Sequence, residues 1–256
     1  MEATPMGERR RVLLAGESWV MHTIHQKGFD AFTTTAYGEG HAWLEAALAA
    51  GGWEVVHLPN HLAAARFPTT LAELAAYDAV ILSDIGANTL LLHPDTFERS
   101  RPMPNRLALL RDWVAGGGGL VMVGGYLSFN GIEGKARYGG TAVEEALPVE
   151  LVPGDDRVEL PEGVAPRVRA ADHPIVAGLA DVWPALLGYN RLAAKPGATV
   201  VATVGDDPLL VAWEVGEGRA VAFASDCGPH WAPPAFCDWD GYAPLWQGIV
   251  GWAAGD

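Results

Sequence analysis

The chain has 256 residues, of which 17 are Lys or Arg and 31 are Asp or Glu, giving a formal charge of −14 at pH 7 with histidine neutral. Nucleic-acid affinity depends on Lys and Arg neutralising phosphates, so this balance excludes a general nucleic-acid binder, and 50% apolar against 19% charged residues excludes a disordered chain. No stretch approaches the ~18 uninterrupted apolar residues of a membrane span, and 31 glycines with 18 prolines prescribe many turns and exclude a long coiled coil.

The N-terminal stretch Met1–Arg11 ends in Arg9-Arg10-Arg11, and the apolar run behind it, Val12–Ala15, is shorter than the roughly 7–15 residues of a signal-peptide core, so a cytoplasmic location is expected. Val12–Ala15 predicts a first strand ending at Gly16-Glu17-Ser18, and the polar, aromatic residues from Ser18 to Asp30 read as the loop after it. His41–Ala50, rich in alanine and closed by Gly51-Gly52, predicts a helix. Glu54–His57 and Ala79–Leu82 predict strands, the second ending at Ser83-Asp84. Arg106–Ala115 predicts a helix with Leu107, Leu110, Trp113 and Val114 on one stripe, and Leu120–Val123 a strand running into Gly124-Gly125. Near-continuous apolar strands suit a parallel sheet covered on both faces, since neither face meets water. Alternating with helices, they predict an α/β fold with a doubly wound, mostly parallel sheet and right-handed crossovers.

Beyond Leu147 the pattern changes. Residues 149–198 read as an irregular excursion with short strands, rich in Pro, Asp and Glu up to Pro174. Three strands follow, Thr199–Val204, Leu209–Val215 and Arg219–Ser225, the last two forming a hairpin around Gly216-Glu217-Gly218. Tyr242–Ala253 predicts a closing helix with Leu245, Ile249, Trp252 and Ala253 on one side. With no repeat or flexible linker, one domain over residues 1–256 is expected.

Ligands of open parallel sheets bind outside the carboxyl ends of the strands, so the residues just past each strand are the candidates. They are Ser18, Trp19, His22, His25 and Lys27 after the first strand, then Ser83, Asp84 and Asn88, then Gly125, Tyr126 and Ser128, and finally Asp226, His230 and Trp231. Asp84, Asp226 and His230 are candidate acid/base groups, with Ser128 a candidate nucleophile; Ser18, Trp19, His22, Lys27, Asn88, Gly125, Tyr126 and Trp231 are candidate substrate contacts. Each has a plainer reading: Ser and Asp after strands commonly cap helices, and the tryptophans suit core or interface packing. His22 with His25, or Asp226 with His230, would share a metal only if each pair sat on one helical turn, and no metal or cofactor is expected. Walker A, His-Glu-x-x-His, Cys-x-x-Cys and Gly-x-Ser-x-Gly patterns are absent, and Gly116–Gly119 precedes a strand and so reads as a helix stop. The glycines of Gly124-Gly125 would leave N–H groups free to hold an anion or a carbonyl oxygen. Cys227 and Cys237, the two cysteines, are expected to be free thiols.

Several motifs carry a family resemblance: Gly16-Glu17-Ser18-Trp19, Lys27–Phe32, Leu82–Asn88, Gly124–Phe129 and Pro229-His230-Trp231-Ala232-Pro233. Taken together, the chain resembles the bacterial cytoplasmic proteins described as putative glutamine amidotransferases, which implies the class I glutamine amidotransferase-like, flavodoxin-like fold over nearly the whole length. The resemblance also implies a cysteine nucleophile at the turn after a central strand, activated by a histidine that a carboxylate orients. That turn is Gly124-Gly125-Tyr126 and holds no cysteine, so glutaminase activity is not expected. The expected function is a crevice for a small polar metabolite, with hydrolysis one outcome. The alternatives are a non-catalytic binding or homo-oligomeric assembly module and a sugar-metabolism protein of the trehalose-utilisation type.

Overall fold

The computed structural model describes residues 10–256, so most of the N-terminal stretch read above lies outside the described residues. In chain order the strands are β1 (Arg11–Gly16), β2 (Ser18–Lys27), β3 (Asp30–Glu39), β4 (Glu54–Leu58), β5 (Ala79–Ser83), β6 (Gly119–Val123), β7 (Val149–Leu151), β8 (Arg157–Val164), β9 (Arg167–Val168), β10 (Leu186–Asn190), β11 (Leu192–Ala194), β12 (Thr199–Val204), β13 (Asp207–Val215) and β14 (Gly218–Phe223). The helices are α1 (Ala42–Ala50), α2 (Asn60–Arg66), α3 (Leu71–Leu74), α4 (Ala87–Leu91), α5 (Pro94–Arg99), α6 (Arg106–Ala115), α7 (Ala142–Ala146), α8 (Pro234–Cys237) and α9 (Tyr242–Ala253).

The central sheet has the order β4-β1-β5-β6-β14-β13-β12-β9. From β4 to β14 every pairing is parallel; β13, β12 and β9 then continue it antiparallel. The five parallel strands, counted in chain order, run 2-1-3-4-5, the flavodoxin order with its switch point between β1 and β5. Along β5 and β6 every residue is buried, which requires helices on both faces. α1 packs with α9, and α6 packs with α3, α4 and α7. The predicted helices over 106–115 and 242–253 match the observed bounds, and the expected hairpin is β13–β14. No helix of the described residues is long and apolar enough to cross a membrane.

One region departs from expectation. The residues read as a loop after β1 form a two-stranded antiparallel arm, β2–β3, in register from Ser18↔Glu39 to Lys27↔Asp30. Its turn is Gly28-Phe29, with glycine at φ +65 in the first central position, as a two-residue hairpin requires. After Ser18 nearly every residue of the arm is exposed. Because alternate strand residues face opposite ways, His22 and His25 lie on opposite faces of β2 and cannot share a helical turn. Instead His22 Nδ1 meets Thr35 Oγ1 at 3.0 Å and His25 stacks on Phe32.

Candidate active site

The first parallel strand must stop close against its neighbour. Gly16 has φ +117, and a Cβ there would stand 1.7 Å from the Ser83 carbonyl oxygen, so only glycine lets β1 end beside β5. The next residue of each strand, Glu17 on β1 and Asp84 on β5, has φ +48 and +45. Left-handed backbone at a non-glycine residue costs of order 1–3 kcal/mol, and such strain persists where the surroundings over-determine it. Here it turns two carboxylates into the crevice at the switch point.

A cavity of about 340 Å³ opens there, lined by Glu17, Trp19, Asp84, Tyr126, Asp226 and His230, with Gly40, Gly228 and Pro229 completing its wall. The loops after β1, β5, β6 and β14 thus meet at one edge of the sheet. Glu17 is 4% exposed and accepts a hydrogen bond from Ser83 Oγ at 2.5 Å. Burial, reinforced by the charges of Asp226 and Asp84, holds its carboxyl well above the ordinary value. Burial likewise raises Asp84, against a hydrogen bond from Leu127 N at 2.7 Å that lowers it. His230 Nδ1 lies 3.6 Å from Asp226 Oδ2, and that partnership raises the imidazole above its usual range. The Tyr126 ring stands edge-on to His230, centroids 4.4 Å apart, while its Oη donates to Glu159 Oε1 at 3.0 Å.

Several predicted contacts serve the wall from behind. Ser128 is 1% exposed and accepts from Asp84 N at 3.1 Å, so it positions Asp84 and is no cavity nucleophile. Ser18 Oγ accepts from Asn60 N at 2.7 Å and ties β2 to α2. Trp231, 1% exposed, donates from Nε1 to Glu159 Oε2 at 3.0 Å and so supports Tyr126 through a shared carboxylate. The Gly125 N–H is not free for an anion, because it donates to Asn190 Oδ1 at 2.9 Å. Asn190 in turn donates to Asp156, which accepts from Asn130 N and Gly131 N, so residues of the excursion brace the turn after β6. His22 and Lys27 lie out on the arm, with Lys27 Nζ over the Phe32 ring, and Asn88 is exposed on α4; none of the three lines the cavity.

Glu17 is the residue the sequence reading passed over, although the strand-end rule that selected Asp84 applies to it equally. Cys227 is fully buried beside it, its Sγ 3.8 Å from Ser83 Oγ, and burial with the neighbouring carboxylates pushes the thiol well up. Both cysteines are free and buried.

The family model described as "Putative glutamine amidotransferase" (GATase1_like) matches residues 11–255. The fold and sequence are similar to those of cytoplasmic protein STM3548 from Salmonella typhimurium, at 45% identity and a TM-score of 0.92 over 94% of this chain and 98% of that one. Cytoplasmic protein STM1381 from Salmonella typhimurium LT2 is similar at 46% identity and a TM-score of 0.91, over 95% and 99% of the two chains. A ThuA-like protein from Parabacteroides merdae shares the fold at 13% identity and a TM-score of 0.59, over 97% of this chain and 91% of that one. No curated protein matches the sequence.

Proposed function

Since this chain belongs to the GATase1-like family of putative glutamine amidotransferases, we propose that it is an acid/base enzyme, a hydrolase of a small uncharged polar metabolite, that works without glutaminase chemistry. The observation that carries this reading is the convergence of Glu17, Asp84 and Asp226 on one cavity with His230 seated on Asp226. The cavity lining offers an anion no Lys or Arg, and a volume of about 340 Å³ suits a small molecule. Glu17 and Asp84, whose carboxyl pKa values burial raises, are the proton donors of this reading, and His230, oriented by Asp226, is the group that takes a proton from water. In the hydrolytic step water adds its hydroxyl to the electrophilic carbon, its proton goes to His230, and the leaving group takes the proton of Glu17 or Asp84. Ser128 and Trp231 position this machinery.

Cys227 does not replace the missing nucleophile. A buried thiol with a raised pKa beside carboxyl groups holds its proton, and the thiolate is the reactive form. The reading places the enzyme in the cytoplasm, as the names of its two Salmonella relatives do for those proteins. Thermal-shift binding of neutral, cationic and anionic small metabolites tests it. Neutral polar compounds are expected to stabilise the parent and to lose that effect in an Asp84→Ala, His230→Ala double variant; stabilisation by anions alone would overturn it. Ammonia release from glutamine is expected to stay at background, and turnover abolished by Cys227→Ser would restore the amidotransferase reading. A second reading, a non-catalytic assembly module, is favoured by the exposed β2–β3 arm and predicts no turnover of any ligand that binds.

A further inference from the structure

The excursion over residues 149–198 brings one carboxylate up behind the cavity wall without lining the cavity itself. Glu159 lies on β8 and accepts with both of its oxygens: Tyr126 Oη donates to Oε1 and Trp231 Nε1 to Oε2, each at 3.0 Å. The neighbouring strand makes room for this. Gly188 of β10 is the cross-strand partner of Glu159, and a Cβ there would stand 2.3 Å from Trp231 Nε1, so glycine leaves the space that the indole takes to reach the carboxylate. One residue earlier, the Leu187 N–H donates to the Trp231 carbonyl oxygen at 2.8 Å. Both rings that Glu159 holds rest on His230. Tyr126 stands edge-on to the imidazole with centroids 4.4 Å apart, Trp231 lies 5.3 Å away and 25° from parallel, and the two meet each other at 5.7 Å. With Nδ1 facing Asp226 at 3.6 Å, Nε2 is the imidazole nitrogen left for water.

We propose that Glu159 is a positioning residue for His230: by tying Tyr126 to Trp231 it holds the imidazole between two fixed rings, with Nδ1 kept on Asp226. This role presumes that His230 is the group that takes a proton from water. The His230 side chain is 42% exposed, so packing alone leaves it freedom to turn. A carboxylate with both oxygens engaged fixes two of its neighbours at once, and a reacting group is held to its geometry by neighbours whose own side chains are locked by hydrogen bonds. Charge acts in the same direction. The acidic groups around His230 are Asp226 after β14, Asp84 after β5, Glu17 after β1 and Glu159 on β8, and the Tyr126 phenol is the titratable group after β6. Asp226 raises the imidazole most, and Glu159 and Asp84 add to it against burial. Arg157 is the cation on this side, 4.7 Å from the centroid of the Tyr126 ring and 3.7 Å from Glu159 Oε1. Its guanidinium donates two hydrogen bonds to Asp155, at 3.0 and 2.8 Å, and that pairing leaves the charge of Glu159 to act on His230.

The test is an NMR pH titration of the histidine ring signals in the parent chain and in Glu159→Gln, which keeps the length of the side chain but removes its charge and one of its two acceptors; His230→Gln assigns the signal. The acid dissociation constant of His230 is expected to rise about two- to five-fold, the effect of one solvent-screened charge, and the cross-relaxation between the His230 and Tyr126 rings to weaken. Glu162→Gln, exposed on the same strand, is expected to change neither. Both readouts need no ligand and no turnover, so they fail separately from the hydrolase reading, which thermal-shift binding tests. If Glu159→Gln does not fold, Tyr126→Phe, which cuts one of the two hydrogen bonds and keeps the ring, is expected to weaken the contact between that ring and His230. A Glu159→Gln chain that melts lower yet keeps the parent's His230 titration, or a Tyr126→Phe chain whose ring contact is unaltered, would overturn the proposal.

Discussion

Within a few residues the chain passes from Glu17, 4% exposed and strained, into a ribbon where Ile24 is 72% exposed and Phe29 stands free of any neighbour. On one side of that boundary is the carboxyl edge of a sheet whose central strands are buried on both faces; on the other are two strands held by one ladder and a few cross-strand pairs. A packed body can hold groups in unfavourable states, such as buried carboxyls and left-handed backbone, because the rest of its contacts outweigh them. A two-stranded ribbon has no such reserve and is marginal by itself in water. The acid/base groups of the cavity therefore sit on the body, while the arm contributes Trp19 to its wall and otherwise presents surface.

The largest effect expected on stability separates the two directly. Trp246 on α9 is fully buried against Phe223 and Tyr242, so Trp246→Ala should cost about 3–5 kcal/mol in urea unfolding. Ile24→Ser on the arm, measured where the chain is dilute enough to be monomeric, should stay within about 0.5 kcal/mol of the parent. A comparable cost at Ile24 would mean that the arm packs on the body, and the comparison would break.

The same contrast explains what could be read from sequence. Strands buried on both faces, such as Ala79–Leu82, leave continuous apolar runs, and the helices between them leave a stripe and a glycine stop, so the parallel sheet was legible, whereas its strand order and switch point were not. The arm left neither sign. With both faces in solvent, Trp19-Val20-Met21-His22-Thr23-Ile24-His25 has no alternation to read, and the Gly28-Phe29 turn was the available clue. Asp84, Asp226 and His230 were singled out because strand ends mark ligand sites, and all three line the cavity. Side-chain direction was not legible. Ser18, Ser128 and Trp231 also sit at those ends, yet their polar atoms are taken up by Asn60, Asp84 and Glu159.

A smaller effect should appear at Glu17. The unfolded chain releases this proton near the ordinary value of 4.5, and the folded one well above it. Between those two points the unfolded state binds fewer protons, so the Glu17 contribution to stability falls as pH rises. Glu17→Gln removes the ionisable group while keeping an acceptor for Ser83. The variant should melt above the parent at pH 8 and converge with it towards about pH 4, below both carboxyl transitions. Melting curves whose difference does not change with pH would show that burial does not hold that proton. Cys227 sits in the same pocket of low polarity, so a thiol reagent should leave it unmodified in the native chain and find two thiols per chain after denaturation.

The smallest effect on folding is expected from the arm, where the effect on association should instead be large. Ten residues per strand at about 3.4 Å each give a ribbon roughly 34 Å long. Its two faces, each roughly 10 Å wide, together offer about 700 Å², close to the ~800 Å² per partner of a stable interface. That surface carries Trp19, Val20, Met21, Ile24 and Phe32, each at least 40% exposed, and one lysine against Asp30 and Glu39, on a chain whose total charge is −14. Two such chains repel through their bodies and least through their arms, and the open edges of β2 and β3 offer unpaired backbone groups to a second ribbon. The partner we propose for it is a second copy of this chain. Sedimentation over a concentration series should show the parent self-associating and an Ile24→Asp, Phe32→Ser double variant remaining monomeric with a native circular-dichroism spectrum. A parent that stays monomeric throughout, or a variant that associates as the parent does, would leave the arm without the role its exposed apolar surface implies.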